Sequence, residues 1–164
     1  MRILGIDPGS LITGYGVIDV VRGRLSLHCA GIFRLARGRP LPERLKEAAG
    51  RLSVLLTEQR PDEVCLESVF QHLNVRSVLV LAHLRGALML ELARSGRPLF
   101  EYTPREVKKA LVGHGQADKT QVRSMVRRIL KSKTLPAAHD VSDALAVAIC
   151  HAHTAPVRRK WGGE

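Results

Sequence analysis

The chain opens on a short apolar run, Ile3-Leu4-Gly5-Ile6, that ends at Asp7-Pro8-Gly9. A run this short, closed by a turn signal, predicts a buried strand. Gly14 to Val21 is rich in β-branched residues and breaks at Arg22-Gly23, and Leu25 to Leu35 is a third candidate strand. Three strands joined by short turns predict an antiparallel meander. After the Gly38–Pro42 stretch the period changes. Between Glu43 and Gln59 the apolar positions Leu45, Ala48, Ala49, Leu52 and Leu56 recur at helical spacing. Pro61-Asp62 ends that helix, and Glu63 to Val69 predicts a fourth strand with Val64 and Leu66 on one face.

A helix follows from Val75 to Ser95, stopped by Gly96, and Leu99 to Tyr102 predicts a fifth strand. Pro104, favourable in a first helical turn, opens a short helix to Val112. Gly113-His114-Gly115 is a break, Lys119 to Lys131 a basic helix and Asp140 to His153 a final one. The order β-β-β-α-β-α-β-α-α-α predicts an α/β fold, a five-stranded mixed sheet flanked by helices. The Val75–Ser95 helix is apolar nearly all round, with Val78, Ala82 and Leu92 on one side and Leu81, Leu84 and Leu88 on others. Such a helix is either central or presents one face to a second copy.

A length of 164 residues suits one domain, expected over 1–155, with a basic tail, expected to be flexible, over 156–164. Hydrophobic residues at 45% and charged residues at 25% give an ordinary globular composition and exclude wholesale disorder. Charge changes the picture more. The net charge is +11, of which +4 falls in 1–104 and +7 in 105–164. That surplus favours an anionic partner, nucleic acid before a membrane surface. Cys29, Cys65 and Cys150 are sparse and lack metal-type spacing, which predicts reduced thiols. The start shows no signal-peptide pattern, and His83, Arg85 and Glu91 interrupt the most apolar stretch, Val78 to Ala93. A cytoplasmic protein is expected.

Acidic residues are scarce, so their placement is informative. Asp7 ends the first strand, Glu67 comes late in the fourth, and Asp140 and Asp143 share a face at the start of the last helix. If the first and fourth strands are neighbours, Asp7 and Glu67 meet at strand ends, where functional groups of α/β sheets gather. Crowded carboxylates raise one another's pKa. A hard divalent cation resolves the conflict, and all-oxygen ligation suits Mg²⁺ or Mn²⁺. Each acid also has a plainer reading: Asp7 as a turn former, Glu67 as an edge-strand charge, Asp140 as a helix cap.

Leu4-Gly5-Ile6-Asp7-Pro8-Gly9-Ser10, followed by Thr13-Gly14-Tyr15-Gly16, resembles the opening motif of the RuvC family of bacterial Holliday-junction resolvases. Glu67-Ser68-Val69-Phe70 resembles its second motif. Phe100-Glu101-Tyr102, Val107-Lys108 and Val112-Gly113 with Gly115 resemble its middle section, and Asp140-Val141-Ser142-Asp143-Ala144-Leu145-Ala146 its C-terminal acidic motif. The match is collinear over 3–153. It implies a ribonuclease-H-like fold, a homodimer, and paired symmetric nicking of a four-way junction with Mg²⁺, one or two ions per site, leaving 5′-phosphate ends. Mn²⁺ is an expected substitute. By motif position Asp7, Glu67, Asp140 and Asp143 correspond to the family's catalytic, metal-holding carboxylates. Some members carry His at the third position, so His139, at i,i+4 to Asp143, stays open as a ligand or proton donor. The family's usual partners are a junction-binding protein and a branch-migration ATPase.

The resemblance also gives Phe70 a role, stacking on junction bases, against the alternative of a core aromatic. Lys108 and Lys119 match basic positions near DNA, and Arg123, Arg127 and Lys131 are candidate phosphate contacts, against a solvated helix surface. Two other classes remain to be separated: an actin-like or sugar-kinase ATP-binding domain, and a non-catalytic nucleic-acid binder of the same fold.

Overall fold

The computed structural model describes residues 1–68, 75–132 and 138–160, the last five of these as backbone. Five strands form one sheet: β1 (Arg2–Asp7), β2 (Ile12–Val21), β3 (Arg24–Arg34), β4 (Glu63–Glu67) and β5 (Leu99–Tyr102). Their spatial order is β3-β2-β1-β4-β5. β1 pairs antiparallel with β2, and β2 with β3, as the short turns dictate. β4 joins β1 in parallel, and β5 joins β4 in parallel, because a helix carries the chain back each time. The expected mixed sheet is therefore present.

Helices cover both faces. α1 (Leu41–Gln59) and α2 (Val75–Arg94) bury Leu52, Leu56, Leu84 and Leu88 against Leu4, Ile6, Val64 and Leu66. On the other face α3 (Pro104–Val112), α4 (Lys119–Ile129) and α5 (His139–Lys160) cover Ile3, Ile18 and Cys65. Strands buried on both faces explain why β1 and β4 read as continuous apolar runs.

α5 is the central helix: Ala144 through Cys150 are all essentially inaccessible. α2 differs from the pattern read along the sequence. Leu92 is buried with Leu81, Leu84 and Leu88, whereas Val78 lies with exposed Val75, Leu79 and Leu90. α5 runs to Lys160, seven residues beyond its expected end, so the backbone of 156–160, assigned from sequence to a tail, is helical. Burial of Ala155 at the end of the apolar face shows what carries the helix that far.

Two glycines set the height of α5 above the sheet. A Cβ at Gly5 would sit 2.2 Å from the Ala144 carbonyl oxygen, and one at Gly14 only 2.0 Å from that of Asp140. No side chain fits at either strand position, so the backbone of α5 rests directly on β1 and β2.

Candidate active site

Parallel pairing of β1 and β4 matches Ile6 with Leu66, which brings Asp7 and Glu67 side by side at the carboxyl end of the sheet. Their carboxyls lie within hydrogen-bond reach of each other. α5 then lays its first turn over the same end through the Gly14 contact, bringing Asp140 and Asp143. β4 lies between β1 and β5, so Glu67 is not an edge-strand charge. Asp140 is inside the first turn of α5 rather than ahead of it, so it does not cap the helix.

The electrostatics rank the four acids. Burial first, then Glu67 and Asp143, push the Asp7 carboxyl up to about 8. Burial and Asp143 push Glu67 up to about 7, against the hydrogen bond from Asp7 and the cations Lys119 and Lys108. Asp143 is raised chiefly by burial and held back by Lys119. Asp140 makes the smallest contribution to Asp7, which puts it at the rim of the cluster. His139 is exposed, one turn before Asp143 on α5.

Two capped helices deliver the lysines. Thr103 and Glu106 cap α3 reciprocally, with the Glu106 amide donating to Thr103 Oγ1 at 3.2 Å and the Thr103 amide donating to Glu106 Oε2 at 2.7 Å. Asp118 and Gln121 do the same for α4, at 2.8 and 3.0 Å. Lys119 follows directly and places its Nζ 3.6 Å from Asp143 Oδ2, an ion pair too long for a hydrogen bond. Lys108, Lys119, Glu67 and Asp143 line one small cavity floored by Val107, Val122 and Ala146. Arg123 lies one turn beyond Lys119, half-buried. Phe70 lies outside the described residues.

Among the described residues, no three carboxylate, imidazole or thiol side chains converge as a ready-made metal sphere. The donor set still fits a hard divalent cation. It is all oxygen and half-buried, and its pKa values are raised first by burial and then by the neighbouring negative charge that such an ion would neutralise.

Several supporting residues were not assigned roles from sequence. Gly5 and Gly14 hold α5 down, and the signal was present as glycine inside a strand pattern. Arg44 on α1 donates from Nη1 to the Ser10 carbonyl at 3.2 Å, and Thr13 Oγ1 donates to the Gly9 carbonyl at 3.4 Å. Together they anchor the turn after Asp7. The first is not visible in local spacing, because it crosses 34 positions.

A mixed sheet with helices on both faces and acids from β1, β4 and α5 at its carboxyl end defines the class: a ribonuclease-H-like protein with a half-buried acidic centre. The family profile described as crossover junction endodeoxyribonuclease RuvC matches residues 3–151, and the chain belongs to that family. A relative from Pelotomaculum thermopropionicum, named crossover junction endodeoxyribonuclease RuvC, is 45% identical over 98% of both chains. The structure of Thermus thermophilus RuvC superposes with a TM-score of 0.87 at 32% identity over 96% of both chains. The same protein in complex with a Holliday junction substrate gives 0.87 at 30% identity over 96% of each chain.

Proposed function

We propose that the protein is a structure-selective DNA endonuclease that resolves four-way junctions in recombination and repair by paired symmetric nicks. The observation that carries this reading is the pairing of Asp7 and Glu67 at the carboxyl end of two adjacent strands, half-buried, with Asp143 near enough to raise both. A protein that only binds phosphate has no use for such a cluster, which repels its ligand. Family membership and the junction-bound Thermus relative support the substrate.

Asp7, Glu67 and Asp143 would hold Mg²⁺, with Mn²⁺ as a substitute, and Asp140 at the rim would complete the set or orient the attacking water. The bound ion would lower the pKa of that water and stabilise the leaving 3′ oxygen, so that 5′-phosphate ends result. Asp7, fixed at the end of the central strand, sets the position of the site relative to the sheet. Lys119 and Lys108 stand beside the acids and draw the scissile phosphate over them against carboxylate repulsion. Arg123, one turn along α4, and Phe70 continue the contact with junction DNA, the first through phosphate and the second through base stacking. His139, at i,i+4 to Asp143 on α5, would serve as a ligand or proton donor at the same edge.

A four-way junction is nearly two-fold symmetric, which suits two copies of the site. Exposed Val75, Val78, Leu79 and Leu90 on α2 supply an apolar face for a homodimer. We place its work in the cytoplasm, alongside the family's junction-binding protein and branch-migration ATPase. No helix among the described residues is long and apolar enough to cross a membrane.

The test uses a labelled synthetic four-way junction with and without Mg²⁺. Paired symmetric nicks that need the ion are expected, and Asp7→Asn should bind the junction while losing about a thousandfold or more in nicking rate, about 4 kcal/mol of barrier. An Asp7→Asn protein that cuts at the parental rate would overturn the mechanism. Mg²⁺-dependent ATP hydrolysis without nicking would overturn the function.

A further inference from the structure

At the end of the sheet opposite the carboxylates lies an open cleft of about 1060 Å³ lined by Val21, Arg22, Gly23, Arg24, Leu25, Ser26, Ile129, Lys131 and His153. Among the described residues, every charged residue that lines it is cationic. Asp19, the nearest acid along β2, lies on the other face of the sheet, where Arg2 and His28 occupy it at 2.8 and 3.2 Å. The other large cleft, beneath α1, is different in kind: Arg39, Lys46 and Arg51 there face Glu43, Glu47 and Glu58. Charge is balanced in one cleft and unopposed in the other.

A line of cations connects the unopposed cleft to the acidic centre. Lys119, Arg123 and Arg127 recur every four residues along α4, and Lys131 follows its C-cap. α4 starts beside Asp143 and ends with Ile129 in the cleft, a rise of about 15 Å from Lys119 to Ile129. The β2–β3 hairpin then takes over. Gly14 pairs with Asp7, and Val21 is seven residues further on, so Arg22 and Arg24 stand about 24 Å from the acids. At 3.4 Å per step, that span corresponds to about seven base pairs of duplex.

We propose that the hairpin cleft, through Arg22, Arg24 and Lys131, grips the phosphate backbone of the duplex arm that leaves the cut site, about seven base pairs from it. The inference rests on the junction-nuclease reading above and adds a second, distal DNA contact to it. Phosphate contacts of this kind hold register and carry no sequence information. The distal grip would therefore fix the direction of the arm while the acidic centre meets the strand to be cut.

Arg22 has φ +50° and Gly23 φ +76°, the two left-handed positions of a tight two-residue hairpin. Asparagine favours the first of these positions, so Arg22→Asn removes charge without threatening the turn. The test compares the wild type with an Arg22→Asn, Arg24→Gln protein on junctions with arms of about five and about twenty base pairs, across a salt series. Thermal melting checks that both are folded. On long arms the salt slope of the double variant should be shallower by about 1.8 and its affinity on the order of tenfold weaker. On short arms, which end before the cleft, the two proteins should converge. Identical behaviour at both arm lengths would overturn the proposal and leave an acidic protein surface as the occupant. An equal loss on short arms would overturn it too, since the residues would then act near the junction centre. If the wild type itself fails to bind junctions, the function reading falls first and the distal contact with it.

Discussion

α5 passes through two buried acidic sites that are built on opposite rules. Toward its C-terminal half, Glu63 lies against His151, with Nε2 2.7 Å from Oε2, and the Tyr102 hydroxyl lies 2.7 Å from His151 Nδ1. His151 is fully buried, and every polar atom of its ring has a partner. At its N-terminal end, Asp7, Glu67 and Asp143 are packed together with one exposed lysine at 3.6 Å. The first arrangement neutralises a buried carboxylate within the fold. The second leaves it to be neutralised from outside. A satisfied buried acid is structural, and an unsatisfied cluster stores unfavourable energy that only a ligand relieves.

The largest expected effect breaks the satisfied site. His151→Ala leaves Glu63 buried without its imidazole and should cost about 3–5 kcal/mol in denaturant unfolding. The nicking rate per folded molecule should hold, since His151 lies two turns from Asp143 on α5. A variant as stable as the parent would show that the network is incidental. Next comes the contact that joins α5 to the acidic end. Gly14→Ala drives a Cβ into the Asp140 carbonyl and should cost about 1–3 kcal/mol by overpacking. Here nicking per folded molecule should also fall, more than tenfold, because Asp140 and Asp143 move with the helix. An unchanged rate in that variant would mean that the height of α5 does not position the acids.

The contrast also explains what could be read in the sequence. The five strands and the placement of the acids at element ends were legible because their signals are local: Asp7 at a strand end, Glu67 after Val64-Cys65-Leu66, Asp140 and Asp143 one turn apart. The His151–Glu63–Tyr102 network was not, because its members lie 88 and 49 positions apart and each looks like an ordinary strand or helix residue. The split of α2 into a buried and an exposed face was also illegible. An all-round apolar helix has no polar side to orient it, so only packing against α1 and the sheet selects Leu81, Leu84, Leu88 and Leu92.

Titration sharpens the comparison further. Asp7 rises from 3.8 to about 8 and Glu67 from 4.5 to about 7 on folding. The folded state thus holds protons that the unfolded chain has released, so stability must fall as pH rises between the two sets of values. The contribution is fully present below about pH 4 and gone once the folded pair has ionised. Without divalent ions, the melting temperature should drop by a few degrees from about pH 5 to about pH 8. Glu67→Gln should flatten that slope, and so should Mg²⁺, which favours the ionised pair. A slope that survives both changes would place the titration elsewhere.

The smallest effect is at Lys119, whose ammonium lies against Asp143. Its side chain is 70% exposed and its ion pair spans 3.6 Å, so Lys119→Gln should change stability by no more than about 0.5 kcal/mol. Function should respond more than stability. Losing the cation raises the Asp143 carboxyl further, because Lys119 is the group that chiefly lowers it. The pH at which junction nicking is half-maximal should therefore move upward, and the salt slope of junction binding should shrink by about 0.9 for one lost phosphate contact. Removing a partner from the Glu63 site costs folding energy, whereas removing one from the Asp143 site costs ligand. If Lys119→Gln instead unfolds the protein and leaves its pH profile unmoved, the acidic end obeys the same rule as the Glu63 network and the distinction between them fails.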